Sequence, residues 1–289
     1  MRVIAFGATG FIGKVLIERL KQRGHEVVVS DWRRDKNWES ELFKSDAVIN
    51  LAGTPVFGRR WSTEFKASIY DSRIEGTRKL VQALAKAKTN GGKVQALVNA
   101  SAIGFYGPTT GEEPSIESSA SGADFLAFVC RDWETEAFKA QQAHGIRTAL
   151  VRIGIVLGKG GGALQKLLPP FKLGLGGPIG LGRQYQSWVH IEDVVGILIH
   201  ALENNQISGP INAASPNPVT NKEFSQALAK SLHRPCLFPV PAMGLFVLVG
   251  EAAEILVTGQ RVLPEVALKT GYKFQYPEIQ AAFDSIVRA

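Results

Sequence analysis

The first twenty residues, Met1-Arg2-Val3-Ile4-Ala5-Phe6-Gly7-Ala8-Thr9-Gly10-Phe11-Ile12-Gly13-Lys14-Val15-Leu16-Ile17-Glu18-Arg19-Leu20, carry three signals in succession. Val3 to Phe6 is a short apolar run that reads as a buried strand. Gly7, Gly10 and Gly13 follow at GxxGxxG spacing, and Val15, Leu16, Ile17 and Leu20 then recur with helical period. Strand, glycine turn and helix in that order form the setting of a dinucleotide fingerprint. Glycine tolerates unusual backbone angles, and its missing side chain lets a pyrophosphate reach the backbone. The helix start adds free N–H groups and a positive dipole end. The expected cofactor cradle is therefore Gly7, Thr9, Gly10, Phe11, Ile12 and Gly13.

A second strand is expected at Glu26–Ser30, followed by the polar cluster Asp31, Arg33 and Arg34 where a ribose would be read. An acidic residue there accepts from the 2′-hydroxyl of NAD, whereas an arginine pairs with the 2′-phosphate of NADP. Both residue types are present, so this stretch alone leaves NAD(H) and NADP(H) open.

The remainder alternates strand and helix as far as Leu157. Asp46–Gly53 reads as a strand and its turn, Ser62–Lys86 as a helix, and Val94–Asn99 as a strand leading to Ser101. A long helix opens at Asp124 and closes near Gly145, and Thr148–Ile153 is another strand. This alternation predicts an α/β doubly wound parallel sheet of Rossmann type over residues 1–157. A smaller, mostly helical substrate-side region over 158–289 packs closely on it, with strands that can rejoin the sheet. The glycine-rich stretch 174–182 is expected to be a close-packed loop over the site. The tail from Pro239 is expected to hold two or three helices.

With 289 residues, 45% hydrophobic and 20% charged, the chain has an ordinary globular composition and enough length to bury a core without staples. Its two cysteines, Cys130 and Cys236, exclude a disulfide framework and suit a reducing compartment. With no leader recognised ahead of the first strand, the expected location is cytoplasmic. No apolar run approaches the ~18 residues of a membrane span, and five histidines without paired spacing give no metal site. The formal net charge of +7 is scattered rather than striped, which argues for small anionic ligands and against nucleic acid.

In order, Gly7–Gly13 (GATGFIG), Asn50–Gly53 (NLAG), Ser72–Thr77 (SRIEGT), Ser101–Gly107 (SAIGFYG), Val151–Gly158 (VRIGIVLG), Gly176–His190 (GGPIGLGRQYQSWVH) and Gly259–Pro264 (GQRVLP) resemble the extended short-chain dehydrogenase/reductase superfamily. More narrowly, they resemble an atypical epimerase-like branch often labelled cell-division-inhibitor-like, or as NADP-dependent oxidoreductases. The resemblance covers nearly the whole chain. It implies a cofactor across Gly7–Gly13, with Asp31 or Arg33 at the adenosine ribose, and family habit favours NADP(H). Leu51, Ala52 and Gly53 would line the adenine side, and Ser101 and Ile155 the nicotinamide side.

Extended members use a Ser or Thr, a Tyr-x-x-x-Lys pair and an upstream Asn. By the resemblance Ser101 matches the serine, but Leu126 and Cys130 stand where the tyrosine and lysine are expected, and Arg73 stands for the asparagine. Ser101 is then the first catalytic candidate and Tyr106 a weaker one. Arg73 would bind the cofactor or an acidic substrate group. Arg183, Gln184 and His190 are expected on the substrate side, with a helix-entry hydrogen bond to Asp193 as the alternative role for His190. Two functions follow. One is an NAD(P)-binding oxidoreductase or epimerase-like enzyme acting on a small molecule, with a homodimer left open. The other is a cofactor-binding regulatory or redox-sensing protein, division-related in its label, that acts through a partner.

Overall fold

The computed structural model describes residues 1–57, 59–108 and 112–288. The chain begins β1 (Arg2–Phe6), α1 (Phe11–Gln22), β2 (Glu26–Ser30), α2 (Trp38–Lys44), β3 (Ala47–Asn50), α3 (Thr63–Thr89) and β4 (Ala96–Ala102). It continues through α4 (Phe125–His144), β5 (Arg147–Ile153), β6 (Ile155–Leu157), α5 (Leu164–Lys172), β7 (Tyr185–Gln186), β8 (Trp188–His190) and α6 (Ile191–Glu203). Last come β9 (Gly209–Ala213), β10 (Val219–Thr220), α7 (Asn221–Ser231), α8 (Ala242–Val249), α9 (Glu254–Val257), α10 (Glu265–Lys269) and α11 (Ile279–Arg288).

Six strands form one sheet in the order β2-β1-β3-β4-β5-β9, every pair parallel. Helices cover both faces, so the strands are apolar on both sides and read as continuous hydrophobic runs. Val3, Ile49, Val98 and Val151 face α1 and α6 in one core, while Ile4, Phe6, Val48 and Leu97 face α2, α3 and α4 in another. The strand order reverses between β1 and β3. In open sheets of this kind, ligands bind in the crevice beyond the carboxyl ends of the strands at that switch point. The glycine turn after β1 and Leu51–Gly53 after β3 meet there.

Local sequence explains most element ends. Asp124 caps α4 by accepting from the Leu126 and Ala127 amides at 2.7 and 3.1 Å, and Gly145 ends it at φ +64. Thr220 and Glu223 form a reciprocal capping box on α7. The strand expected at Val94–Asn99 runs instead over Ala96–Ala102, because its pairing with β5 continues through Ser101↔Arg152 and Ala102↔Ile153. Helix α2 gives no periodic signal in seven residues and is fixed by packing Trp38 and Leu42 into the core. The tail holds four helices among the described residues, two of them only four or five residues long. From the second half of the chain, β9 pairs with β5, and α6 lies in the main core.

Candidate functional site

The turn after β1 is built so that only its middle is open. Gly7 has φ +73, and a Cβ there would stand 2.6 Å from the Leu51 carbonyl carbon. A Cβ on Gly13 would lie 2.5 Å from the Ala8 Cα, so this glycine lets α1 approach the turn. At Gly10 an added Cβ would meet only the Gly7 oxygen, at 3.3 Å. Gly10 is the N-cap of α1 and supplies no side-chain cap, and the first turn holds no acid. These bare amides sit at the positive end of the helix, which is an anion site. Thr9 is exposed beside them, and Phe11 and Ile12 are half-buried. The Phe11 ring packs against Gly158, Gly161 and Gly162, where a Cβ would lie 2.4 to 3.1 Å from the ring.

Beyond β2, the Asp31 carboxylate serves its own turn, accepting from the Arg33 amide at 2.9 Å and lying 3.9 Å from Arg34 Nε. The Arg33 side chain is exposed and pairs with no carboxylate among the described residues. Beyond β3, the buried Asn50 donates to Asn99 Oδ1 at 2.7 Å and accepts from the Ala52 amide at 3.1 Å. Leu51, Ala52 and Gly53 are thereby held beside Gly7.

At the end of β4 lies a buried charged chain that the motif reading did not single out. The Ser101 hydroxyl donates to Glu134 Oε1 at 2.6 Å. Arg152 grips the same carboxylate through Nε and Nη2, both at 2.8 Å. Its Nη1 also donates to the Tyr106 oxygen at 3.0 Å and to the Glu117 carbonyl at 3.1 Å. The Tyr106 hydroxyl in turn donates to Asn212 Oδ1 at 2.8 Å. Tyr106 is 4% exposed, and burial pushes its phenol above the ordinary value against the opposing pull of Arg152. Ser101 and Tyr106, adjacent in motif, are thus linked through Glu134 and Arg152 rather than directly. The one sequence signal for this was a charge inside the apolar strand Thr148–Ile153.

Arg73 on α3 is half-buried and carries no carboxylate partner among the described residues. Its Nη1 donates to the carbonyls of Thr54 and Ile69 at 2.9 and 3.1 Å, and its guanidinium carbon lies 5.2 Å from the Trp133 ring centroid. Gly53 backs onto it, because a Cβ at 53 would stand 3.1 Å from Arg73 Cζ. Burial lowers its pKa, with Cys130 opposing. Cys130 is buried close to Ser101, and burial pushes its thiol up to about 12, with Glu134 adding and Arg73 opposing.

The expected substrate-side residues differ in exposure and partners. Arg183 is exposed. The Gln184 amide faces the carbonyls of Leu256 and Ile179 at 3.2 and 3.4 Å. His190 is buried, caps α6 by accepting from the Glu192 amide at 3.2 Å, and lies 3.9 Å from the Tyr276 ring. Ile155 is half-buried, paired in β6 beside Trp188. Burial lowers the His190 pKa, with Asp193 and Glu192 opposing. The unfolded chain therefore binds a proton more readily than the folded one. The stability that His190 contributes is full above its unfolded value of about 6.5 and falls as pH drops from there towards the folded value. Urea midpoints measured from pH 7.5 to 5 should fall, and His190→Asn should flatten that slope.

A cleft of about 320 Å³ opens beside Arg73, lined by Thr54, Pro55, Phe57, Arg59, Phe65 and Ser68. A second cleft, of about 290 Å³, lies between α1 and α6 on the far half of α1. Its charged residues are already paired, Arg19 with Glu192 through bonds of 2.7 and 2.8 Å and Arg23 with Glu203 at 2.7 Å. No cluster of three metal-ligating side chains exists among the described residues. No helix there is long and apolar enough to cross a membrane.

A model of the NAD dependent epimerase/dehydratase family matches residues 3–214, and a domain of unknown function, DUF1731, matches residues 240–286. The chain is similar to the Epimerase family protein SDR39U1 homolog, chloroplastic, of Arabidopsis thaliana, with 39% identity over 100% of this chain and 87% of that one. It is also similar to Epimerase family protein YfhF of Bacillus subtilis, with 38% identity over 99% of this chain and 98% of that one. Among solved structures, human epimerase family protein SDR39U1 (isoform2) with NADPH superposes with a TM-score of 0.91 at 37% identity, covering 100% of this chain and 99% of that one.

Proposed function

The chain belongs to the NAD dependent epimerase/dehydratase family, and from that premise we propose that it binds NADP(H) and transfers hydride to or from a small-molecule carbonyl or alcohol. The observation that carries this reading is the glycine turn: bare amides, no capping side chain and an opening at Gly10 alone. Those features fit a pyrophosphate on the amides of Phe11, Ile12 and Gly13. Arg33, lacking a carboxylate partner, fits a 2′-phosphate, while the Asp31 carboxylate is engaged by its own turn. The human relative solved with NADPH supports the same choice. The two free cysteines support the cytoplasm as its compartment.

The cofactor supplies the hydride when bound. The chain's own residues orient and charge the site. Leu51 to Gly53 would wall the adenine side, and Ile155 and Ser101 the nicotinamide side. By the resemblance Ser101 would meet the reacting oxygen, and its hydroxyl is held by Glu134, which Arg152 grips. Tyr106 acts behind it, positioning Arg152. Arg73 supplies the positive charge that a Tyr-x-x-x-Lys lysine gives elsewhere in the superfamily, since Leu126 and Cys130 hold those two positions here. Calorimetric titration tests the reading. NADPH should bind more tightly than NADH, and Arg33→Ala should weaken NADPH by at least about tenfold while leaving NADH unchanged. Tighter NADH binding that depends on Asp31 would reverse the choice.

One observation favours a second reading. Both hydroxyl protons of the candidate acids, Ser101 and Tyr106, are already donated within the chain. A protein that binds the cofactor and signals through a partner needs no free acid. A pull-down whose partner set changes between NADPH and NADP⁺ supports that reading, and steady NADPH consumption with any carbonyl substrate rejects it.

A further inference from the structure

The chain's cations are not evenly neutralised. Around the sheet, Arg2, Arg19, Arg23 and Arg78 each pair with glutamates. By contrast, no Asp or Glu occurs between Glu136 and Glu192, or between Glu223 and Glu251. These two stretches meet in space. The strap 174–182 lies along 235–240, with Val240 N–H donating to the Pro178 carbonyl at 2.7 Å and Gly180 N–H to the Val240 carbonyl at 2.9 Å.

The surface they make is apolar at its centre. Leu173, Leu175, Leu181, Leu237, Phe238 and Met243 are 65 to 77% exposed. Lys172, Arg183 and Arg234, from the acid-free stretches, flank them together with Lys222, which stands beside the exposed Glu223; all four cations are exposed and none is paired with a carboxylate among the described residues. Helix α8, which continues the surface, reads Ala-Met-Gly-Leu-Phe-Val-Leu-Val and has no charged residue. Its far end is moored beside the cleft, where Arg60 donates to the Val247 carbonyl and Lys66 pairs with Glu251, both at 2.5 Å.

We propose that this face docks on an anionic lipid bilayer, with the leucines and Phe238 entering the acyl boundary and the four cations resting on the headgroups. Exposed apolar patches of this kind mark interaction sites. An apolar surface whose rim carries four cations without a carboxylate partner, with Glu223 turned to its own cap on Thr220, is complementary to anionic lipid. The docking surface is independent of the reading given to the cofactor turn. It would bring the cleft at Phe57 and Phe65 to the membrane surface.

Vesicle flotation of the full chain tests this, with phosphatidylcholine alone against phosphatidylcholine carrying about 30 mol% phosphatidylglycerol. The anionic vesicles should bind at least about tenfold more protein, and high salt should weaken that binding. Both Lys172→Glu with Arg234→Glu and Leu237→Asp with Phe238→Asp should reduce it at least about tenfold, with unchanged urea midpoint and unchanged NADPH titration. Equal binding to both vesicle types, or none, overturns the proposal. So does a dimer in sedimentation equilibrium that Leu237→Asp with Phe238→Asp dissolves, since that would make the face a contact between copies.

Discussion

Arg152→Met should destabilise the chain by about 3–5 kcal/mol, the range seen when one partner of a buried ion pair is removed. Arg152 and Glu134 are 3 and 7% exposed, and the guanidinium meets the carboxylate through two bonds of 2.8 Å. Methionine fills much of the space but leaves Glu134 buried, with only the Ser101 hydroxyl to satisfy it. The Tyr106 oxygen and the Glu117 carbonyl also lose a donor. Glu134→Met alone should cost a similar amount, because the stranded charge is then Arg152. The double variant should recover at least half of the loss, since neither charge remains to be desolvated. Urea midpoints of the four proteins close the cycle. If the two single losses simply add in the double variant, the pair does not act as a unit.

Gly7→Ala should abolish NADPH binding, with affinity down at least about a hundredfold, equivalent to about 2.7 kcal/mol. Two effects combine. A φ of +73 is strained for alanine, and its Cβ would press 2.6 Å from the Leu51 carbonyl carbon. The turn after β3 has to move, and the crevice at the switch point loses its wall. Gly10→Ala separates fold from ligand. Its methyl would meet only the Gly7 oxygen at 3.3 Å, so the urea midpoint should hold within about 1 kcal/mol. The same methyl would project over the open amides, and NADPH binding should fall at least about tenfold. Unchanged NADPH affinity in Gly10→Ala would mean that the pyrophosphate does not lie on this turn.

How legible each feature was depended on how local its cause is. β1, α1 and β2 were readable because an apolar run, three glycines and a helical period all lie within thirty residues. The helix start at Asp124 was readable for the same reason. Asp31 shows the limit of a local rule: the polar turn leaves Asp31 and Arg33 both open at the ribose, and only the folded turn shows that Asp31 Oδ1 accepts from the amide two residues on. The Ser101–Glu134–Arg152–Tyr106 chain lay beyond reach, because its bonds depend on α4 crossing β4 and β5. Periodicity places Glu134 on a helix face but does not say that an arginine from a strand waits there. Arg183, Gln184 and His190 share one motif yet face solvent, backbone carbonyls and a helix start respectively.

The pairing of β9 with β5 also sets a clock during synthesis. β5 is complete at Ile153, but its neighbour begins only at Gly209. At about 5–20 residues per second, the ribosome takes about 3–11 s to make what lies between. Throughout that interval the nascent sheet presents seven residues of unpaired β5 edge and a hydrophobic face awaiting α6. Such edges invite strand addition from other chains. The cofactor turn emerges first but closes into a finished domain late, so slowed elongation between Gly154 and Ser208 should raise aggregation of newly made chains more than slowing before Ala96.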